Sequence, residues 1–173
     1  MTARPVESTP EFDAIDWANW VADLDATLLY VVRDERILLI AKKRGLGAGK
    51  LNGAGGKVDP GETHLEAAVR EFEEELGATP LHPKKLGRVA FAVTSGDSIL
   101  IHVYRADDLR GTPVETEEAV PVWASVEDMP YDRMWEDDRY WLPLLLARRT
   151  FEVRTLFDGD RLLGCEVDAD CPL

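Results

Sequence analysis

The sequence predicts an α/β protein: a mixed β-sheet with helices packed on it, not a doubly wound parallel sheet. Three observations predict it. Strand-like apolar runs outnumber helical ones along the chain. Most of them fall in pairs separated by two or three turn-forming residues, the spacing of hairpins and not of crossovers. One segment alone carries a 3.6-residue apolar period between a capping signal and a glycine.

Taken in order, residues 1–8 read as a loose tail. Thr9-Pro10-Glu11 is a helix start, with a capping hydroxyl, a proline at the first helical position and an acid near the positive end. Phe12, Ile15, Trp20 and Leu24 then give a weak apolar stripe, which predicts a short helix over about 10–22. Thr27–Arg33 and Arg36–Lys42 read as strands joined by a tight turn at Asp34-Glu35. A glycine- and lysine-rich loop runs from Lys43 to Gly61. Thr63-His64-Leu65-Glu66 fits a capping box and opens a helix that closes near Gly77. Leu86–Thr94 and Ser98–Arg105 form another strand pair, turning at Gly96-Asp97. Ala119–Ser125 is a strand carrying Trp123. Asp137–Arg149 is helical, with Pro143 a kink or interruption beyond the first turn. Phe151–Phe157 and Arg161–Val167 make a last hairpin around Asp158-Gly159-Asp160.

The 173 residues suffice for one domain with its own core. Residues 1–25 read as an N-terminal tail with a short helical extension, and 26–173 as the domain. Twenty Lys and Arg against 33 Asp and Glu leave a formal charge of −13, which argues against a nucleic-acid polymer as partner, since a phosphate backbone rewards a basic face. A small phosphorylated substrate stays compatible when a divalent cation stands between the charges. Cys165 and Cys171 make no disulfide framework or zinc pair and are expected as free thiols. Residues 1–10 lack the apolar run of a signal peptide, and no apolar run approaches a membrane span. The expectation is a cytoplasmic protein with no membrane partner, a monomer or homodimer.

Gly56–Ala78, GKVDPGETHLEAAVREFEEELGA, carries the chemistry. At about 100° per residue, Leu65, Ala68, Val69, Phe72 and Leu76 form one stripe that should face the core. Glu71, Glu74 and Glu75 fall on a different face at spacings of three and four, where like charges repel. A hard divalent cation held by carboxylate oxygens, Mg²⁺ being the usual one, offsets that repulsion. A solvated acidic helix face accounts for the same residues equally well when they are taken alone. The surroundings favour the cation. Gly53, Gly55, Gly56 and Gly61 let backbone approach a phosphate or metal closely. Lys57 lies in that loop, and Arg70 directly precedes Glu71, where it can orient the carboxylate by a charge-assisted bond.

Gly56, Glu62, Arg70-Glu71-Phe72, Glu74-Glu75 and Gly77-Ala78 match the Nudix box GX5EX7REUXEEXGU at every fixed position, so the segment resembles the Nudix hydrolases. The resemblance implies the Nudix α/β/α sandwich, with its loop–helix motif on a mixed sheet, and hydrolysis of nucleoside diphosphate linkages with Mg²⁺, or Mn²⁺ in its place. Lys42–Gly49, Leu51–Val58, Gly111–Glu115 and Met134–Trp141 extend it. Over roughly Thr27 to Val167 the chain is similar to the oxidised purine nucleoside triphosphate hydrolases, the 8-oxo-dGTP and 2-hydroxy-dATP diphosphatases that sanitise the nucleotide pool.

The resemblance then implies roles. Glu71, Glu74, Glu75 and the backbone carbonyl of Gly55 bind the metal, with Glu118 reaching the same site from a loop. Glu74 or Glu75 acts as base, and Arg70 supports the site. Thr27, Lys42, Asn52, Lys57, Phe91, Trp135, Asp137 and Asp138 bind substrate. Lys42 and Lys57 meet phosphate, Asn52 meets the purine edge, and Trp135 stacks on the base. If Asp137 and Asp138 both face a poorly hydrated pocket, one retains its proton and can donate where an ionised carboxylate only accepts. For these two, the competing assignment is capping of the helix near Asp138. For Trp135, Phe91 and Ile99 it is core packing; for Lys42 and Glu118, solvation. The implied reaction is attack of water at the β-phosphorus, giving nucleoside monophosphate and pyrophosphate. Leu46 and Ala54 stand where the vertebrate enzymes have Phe, which implies a wider pocket. A Nudix hydrolase of ADP-ribose, a nucleotide sugar or nucleoside triphosphates broadly is the alternative, and a non-catalytic ligand-sensing Nudix module a further one.

Overall fold

A computed structural model describes residues 2–173. In chain order the elements are β1 (Thr2–Ala3), α1 (Pro10–Asp13), β2 (Leu24–Arg33), β3 (Arg36–Lys42), β4 (Leu51–Asn52), β5 (Ala54–Lys57), α2 (His64–Leu76), β6 (Thr79–Leu81), β7 (Lys84–Val93), β8 (Ile99–Ala106), β9 (Asp108–Arg110), β10 (Ala119–Ser125), α3 (Asp138–Leu146), β11 (Phe151–Asp158) and β12 (Arg161–Ala169). A ten-stranded sheet follows the path β1-β12-β11-β7-β8-β2-β3-β10, with β4 beside β3 and β5 beside β2, and β6 pairs with β9 apart from it. The pairs β2/β8 and β7/β11 are parallel and their neighbours antiparallel, so the sheet is mixed as expected.

Alternation in the central strands explains the layers. Leu29 and Val31 of β2, with Leu38 and Ile40 of β3, pack under α2 against Ala68, Phe72 and Leu76. Tyr30, Ile37 and Leu39 point the other way, into a second core with Trp141, Leu142 and Leu145 of α3. The β2–β3 turn is the tight one its residues predict, with Asp34 and Glu35 both at positive φ, 53° and 59°, as a hairpin turn matching strand twist requires. α2 is capped as expected: Thr63 and Glu66 form a reciprocal capping box, and Gly77 closes the helix at φ 64°.

Several expectations need correction. The helix expected over 10–22 is a single turn, Pro10–Asp13. Its apolar residues do not keep a helical period; Phe12, Ile15, Trp17 and Trp20 instead wrap as a cluster onto Ala92, Leu156 and Leu163. The loop 43–61 contains β4 and β5, too short for a periodic signal. The apolar stripe of α2 is rotated: Leu65 is exposed, while Ala67 and Glu75 are buried. α3 ends at Leu146 although it contains Pro143. There Arg105 Nη1 donates to the carbonyl of Leu145, at 2.9 Å, which the Arg148 N–H also reaches at 3.1 Å, and to that of Leu146, at 2.7 Å. Both cysteines are free, Cys165 buried. Among the described residues no helix is long and apolar enough to cross a membrane.

Candidate active site

α2 brings Glu71 and Glu75 to one side, one turn apart, and the loop before β10 brings Glu118 to meet them. One carboxylate oxygen from each lies within 4.8 Å of the others. Glu74 is not in this group. It sits a quarter-turn away from Glu75, half exposed, 3.3 Å from Arg70 Nη1. The third carboxylate of the group comes from a distant loop and not from the helix.

Glu75 is 3% exposed, and its Oε2 accepts from the backbone N–H of Gly55 at 3.2 Å. Gly55, whose carbonyl was expected at the metal, meets this group through its N–H. Burial is the main reason Glu75 is pushed up to about 8, partly countered by that bond and by Lys42, with the charges of Glu71 and Glu118 adding to the rise. Burial also raises Glu71, against the opposing pull of Arg70. Glycine leaves room here, at Gly56 for the Glu71 carboxylate and at Gly55 for the neighbouring strand's backbone. A Cβ on Gly56 would lie 2.4 Å from Glu71 Cδ, and one on Gly55 would lie 1.8 Å from the Thr27 carbonyl oxygen. Three converging carboxylates over a glycine cradle are an all-oxygen donor set of the kind hard divalent cations take.

Arg70 anchors the cluster from outside. Its Nε and Nη2 grip Glu62 at 2.5 and 2.9 Å, and Nη2 reaches the Lys57 carbonyl at 3.1 Å. Nη1 donates to Glu71 Oε1 at 2.8 Å, which fixes that carboxylate as Arg70 was expected to do. Its bonds hold Glu62 down at about 2. Glu118 is held from solvent by Arg44 at 3.1 Å.

A cavity of about 560 Å³ runs from Gly55 and Gly56, the glycines of this cradle, across the second core. Thr27, Lys42, Asn52, Lys57, Phe91, Trp135, Asp137 and Asp138 all line it, so every residue assigned above to substrate faces one space. Lys42, Lys57, Gly55 and Gly56 sit at the carboxylate end; Asn52, Trp135, Asp137 and Asp138 form the other. Asn52 Oδ1 accepts from Tyr30 Oη at 3.1 Å and from the backbone N–H of Gly53 at 2.8 Å. The backbone donor fixes which amide atom is oxygen, and the amide NH₂ remains for the cavity. Trp135 meets Phe91 and Phe157 edge to face, at 5.3 and 5.1 Å between centroids, so it is core and cavity wall at once.

Asp137 and Asp138 are each 3% exposed. Asp137 Oδ2 accepts from Trp141 Nε1 at 3.1 Å, and Asp138 Oδ2 is buried with no hydrogen-bond partner. Neither side chain caps α3. Burial raises both: Asp137 to about 6, and Asp138 well above the carboxylate range, where the neighbouring Asp137 charge adds to the effect. Thr27 Oγ1 is likewise buried and unpartnered on the cavity wall. Ala54, expected near this pocket, is buried beneath α2 instead, while Leu46 is at the rim and 57% exposed. Tyr30, which orients Asn52, was not singled out from the sequence, whereas Trp141, which orients Asp137, lies in the matching segment Met134–Trp141. A polar-tipped aromatic inside an aliphatic strand was the available signal for Tyr30.

Asp25, His64 and His102 form a second convergent group near the start of α2. Lys85 Nζ lies 2.9 Å from His102 Nδ1, and His102 Nε2 lies 3.2 Å from Asp25 Oδ1. An ammonium on Nδ1 leaves the ring proton on Nε2, where it goes to Asp25, so the ring presents no lone pair to a cation there. This group ties α2 to β2 and β8, with the His64 ring stacked on His102 at 3.5 Å.

The NUDIX domain family profile matches residues 23–145. The oxidized purine nucleoside triphosphate hydrolase of Mus musculus is 42% identical over 126 residues, covering 72% of this chain and 81% of the mouse protein. The enzyme of the same name from Danio rerio is 44% identical over 134 residues, covering 77% of this chain and 86% of its own. The crystal structure of a MutT protein from Bacillus halodurans superposes with a TM-score of 0.76, at 23% identity, over 84% of this chain and 97% of that one, a likeness of fold.

Proposed function

The chain belongs to the NUDIX domain family and is a Nudix hydrolase, and from that premise we propose that it hydrolyses oxidised purine nucleoside triphosphates, of the 8-oxo-dGTP and 2-hydroxy-dATP kind, to the monophosphate and pyrophosphate. One observation carries the reading: a single cavity is lined at one end by Gly55 and Gly56, the backbone against which the Glu71 and Glu75 carboxylates sit, and at the other by a buried aspartate pair.

At the phosphate end, Glu71, Glu75 and Glu118 would hold a divalent cation, Mg²⁺ by the hardness of the donors, with Mn²⁺ able to replace it. When bound, such a cation neutralises triphosphate charge and makes water more acidic. Arg70 positions Glu71, and Lys42 and Lys57 add positive charge where the phosphates lie. With three acids this close, a triphosphate is repelled unless a cation intervenes, which makes turnover metal-dependent.

At the base end, Asp138 holds its proton and offers a donor, while Asp137, near 6, is the member able to change state. Asn52 offers NH₂, and Trp135 offers an apolar face. Oxidation of a purine exchanges hydrogen-bond donors and acceptors on its edge. A pair of acids sharing protons can match either arrangement, where a fixed donor or acceptor matches one. Leu46 at the rim leaves the mouth open.

The test is a substrate panel in Mg²⁺: 8-oxo-dGTP, 2-hydroxy-dATP, dGTP and ADP-ribose, with products identified. The expected result is preference for the oxidised triphosphates with release of pyrophosphate. An ADP-ribose kcat/KM higher by about tenfold, roughly 1.4 kcal/mol, would overturn the base-pocket reading.

A further inference from the structure

Residues 9–24 contribute no member to the carboxylate group or the aspartate pair, yet they hold a wall of the cavity, which Leu24 itself lines. Phe12 is 1% exposed and packs with Ala92, Leu156 and Leu163. These lie on the reverse of the sheet: Ala92 and Leu156 alternate with Phe91 and Phe157, which point toward Trp135. The fit is tight, since a Cβ on Gly164 would lie 2.3 Å from Phe12 Cγ. Thr9 N donates to the Leu163 carbonyl at 3.1 Å, and Trp17 and Trp20 carry the aromatic chain onward.

From this anchor the chain reaches Ser98. Asp23 Oδ2 accepts from Ser98 N at 2.8 Å and from Ser98 Oγ at 2.9 Å. Asp23 N and Leu24 N donate back to the Ser98 carbonyl at 3.0 and 3.1 Å. Every polar group of Ser98 is therefore engaged by two consecutive residues. Ser98 ends the β7–β8 turn, whose Ser95, Gly96 and Asp97 line the cavity. The other end of the turn is tied to β11 through Thr94 N to the Phe157 carbonyl, at 3.0 Å, and Thr94 Oγ1 to Asp158, at 2.7 Å. Its tip has no such support: Gly96 is at φ 104° with nothing within 4 Å of where a Cβ would stand.

We propose that Asp23 is a positioning residue for purine selectivity: through Ser98 it fixes the β7–β8 turn as a wall of the cavity, so the N-terminal segment sets how well the nucleotide fits without touching the reacting phosphates. The proposal rests on the reading of this cavity as the purine site. Its physical basis is that a wall on a loop is only as accurate as the contacts that hold the loop. Here those contacts are two hydrogen bonds to one ionised oxygen.

The experiment uses the full chain and the variants Asp23→Ala, Asp23→Asn and Ser98→Ala. Kinetics with 8-oxo-dGTP and dGTP are paired with hydrogen exchange of the 94–99 amides. Asp23→Ala is expected to speed that exchange about tenfold or more and to raise KM for the preferred triphosphate by about tenfold, with kcat within about twofold. Asp23→Asn, which keeps an acceptor oxygen, restores most of both. Ser98→Ala, which loses only the hydroxyl bond, moves both in the same direction by less, and it decides the matter if Asp23→Ala does not fold. Unchanged exchange overturns the clamp, and faster exchange with unchanged KM makes the turn merely structural and overturns its role in selectivity. A wild type with no preference between the two purines contradicts the proposed function instead, and the exchange result then still judges the clamp.

Discussion

Replacing Asp137 with asparagine probes the buried acid pair without disturbing its packing. The amide oxygen of the new side chain can accept the 3.1 Å bond from Trp141 Nε1 that Asp137 Oδ2 now accepts, so the change removes a titration and keeps a contact. In the unfolded chain Asp137 loses its proton around 3.8; in the folded protein burial delays that to about 6. Between those values the folded state binds more protons than the unfolded one, so stability falls as pH rises through this window and the contribution is gone above 6. At about 1.4 kcal/mol per tenfold change in proton affinity, the loss is on the order of 3 kcal/mol. The amide has no such proton to lose. Urea unfolding of wild type and Asp137→Asn at pH 4, 5, 6 and 7.5 should give a stability difference that grows in the variant's favour with pH and levels off above about 6.5. A difference independent of pH would mean that Asp137 is ionised in the folded protein throughout. Asp137 would then not be the member of the pair that changes state, and the reading of two oxidised purines by proton exchange would fail.

The carboxylate cradle makes separate predictions. Glu75→Gln should lower Mg²⁺-dependent pyrophosphate release by about a hundredfold or more, and Glu74→Gln by clearly less, because Glu74 lies outside the converging group. Equal losses, or a larger one at Glu74, would contradict this geometry. Gly56→Ala places a Cβ against the Glu71 carboxylate, the movable end of a side chain. It should weaken Mn²⁺ binding about tenfold or more in a calorimetric titration while thermal unfolding changes little. Unaltered Mn²⁺ affinity would show that the Glu71 carboxylate does not hold the ion.

What was legible in the chain was whatever local chemistry dictates. The capping box at Thr63 and Glu66, the left-handed Gly77 and the Asp34-Glu35 turn each encode backbone geometry in adjacent residues, and each forms as expected. The mixed sheet was legible from paired strands. β4 and β5 were not, because two and four residues carry no period and β5 exists only through its register on β2. The N-terminal helix failed for a related reason: Phe12, Trp17 and Trp20 are spent on a surface supplied by β7, β11 and β12. In α2 the face turned inward includes Glu75, a charged residue that a hydrophobic pattern assigns to solvent. Glu71 and Glu75 were named from the motif and Glu118 only from the wider resemblance, because which three converge depends on a loop 43 residues beyond Glu75 in the chain. Burial of Asp137 and Asp138 likewise depends on Tyr30 of β2, Trp135 of the segment before α3 and Trp141 of α3 closing around them.

A divalent cation held by Glu71, Glu75 and Glu118 at the phosphate end of the purine cavity would be seen outright by Mn²⁺ anomalous diffraction from crystals grown with the ion. An anomalous peak in contact with those three carboxylates is expected in the wild type, and its loss in Glu75→Gln. A peak at Asp25, His64 and His102 alone, or at Glu74 with Glu75 uninvolved, would show that the cradle is not the metal site.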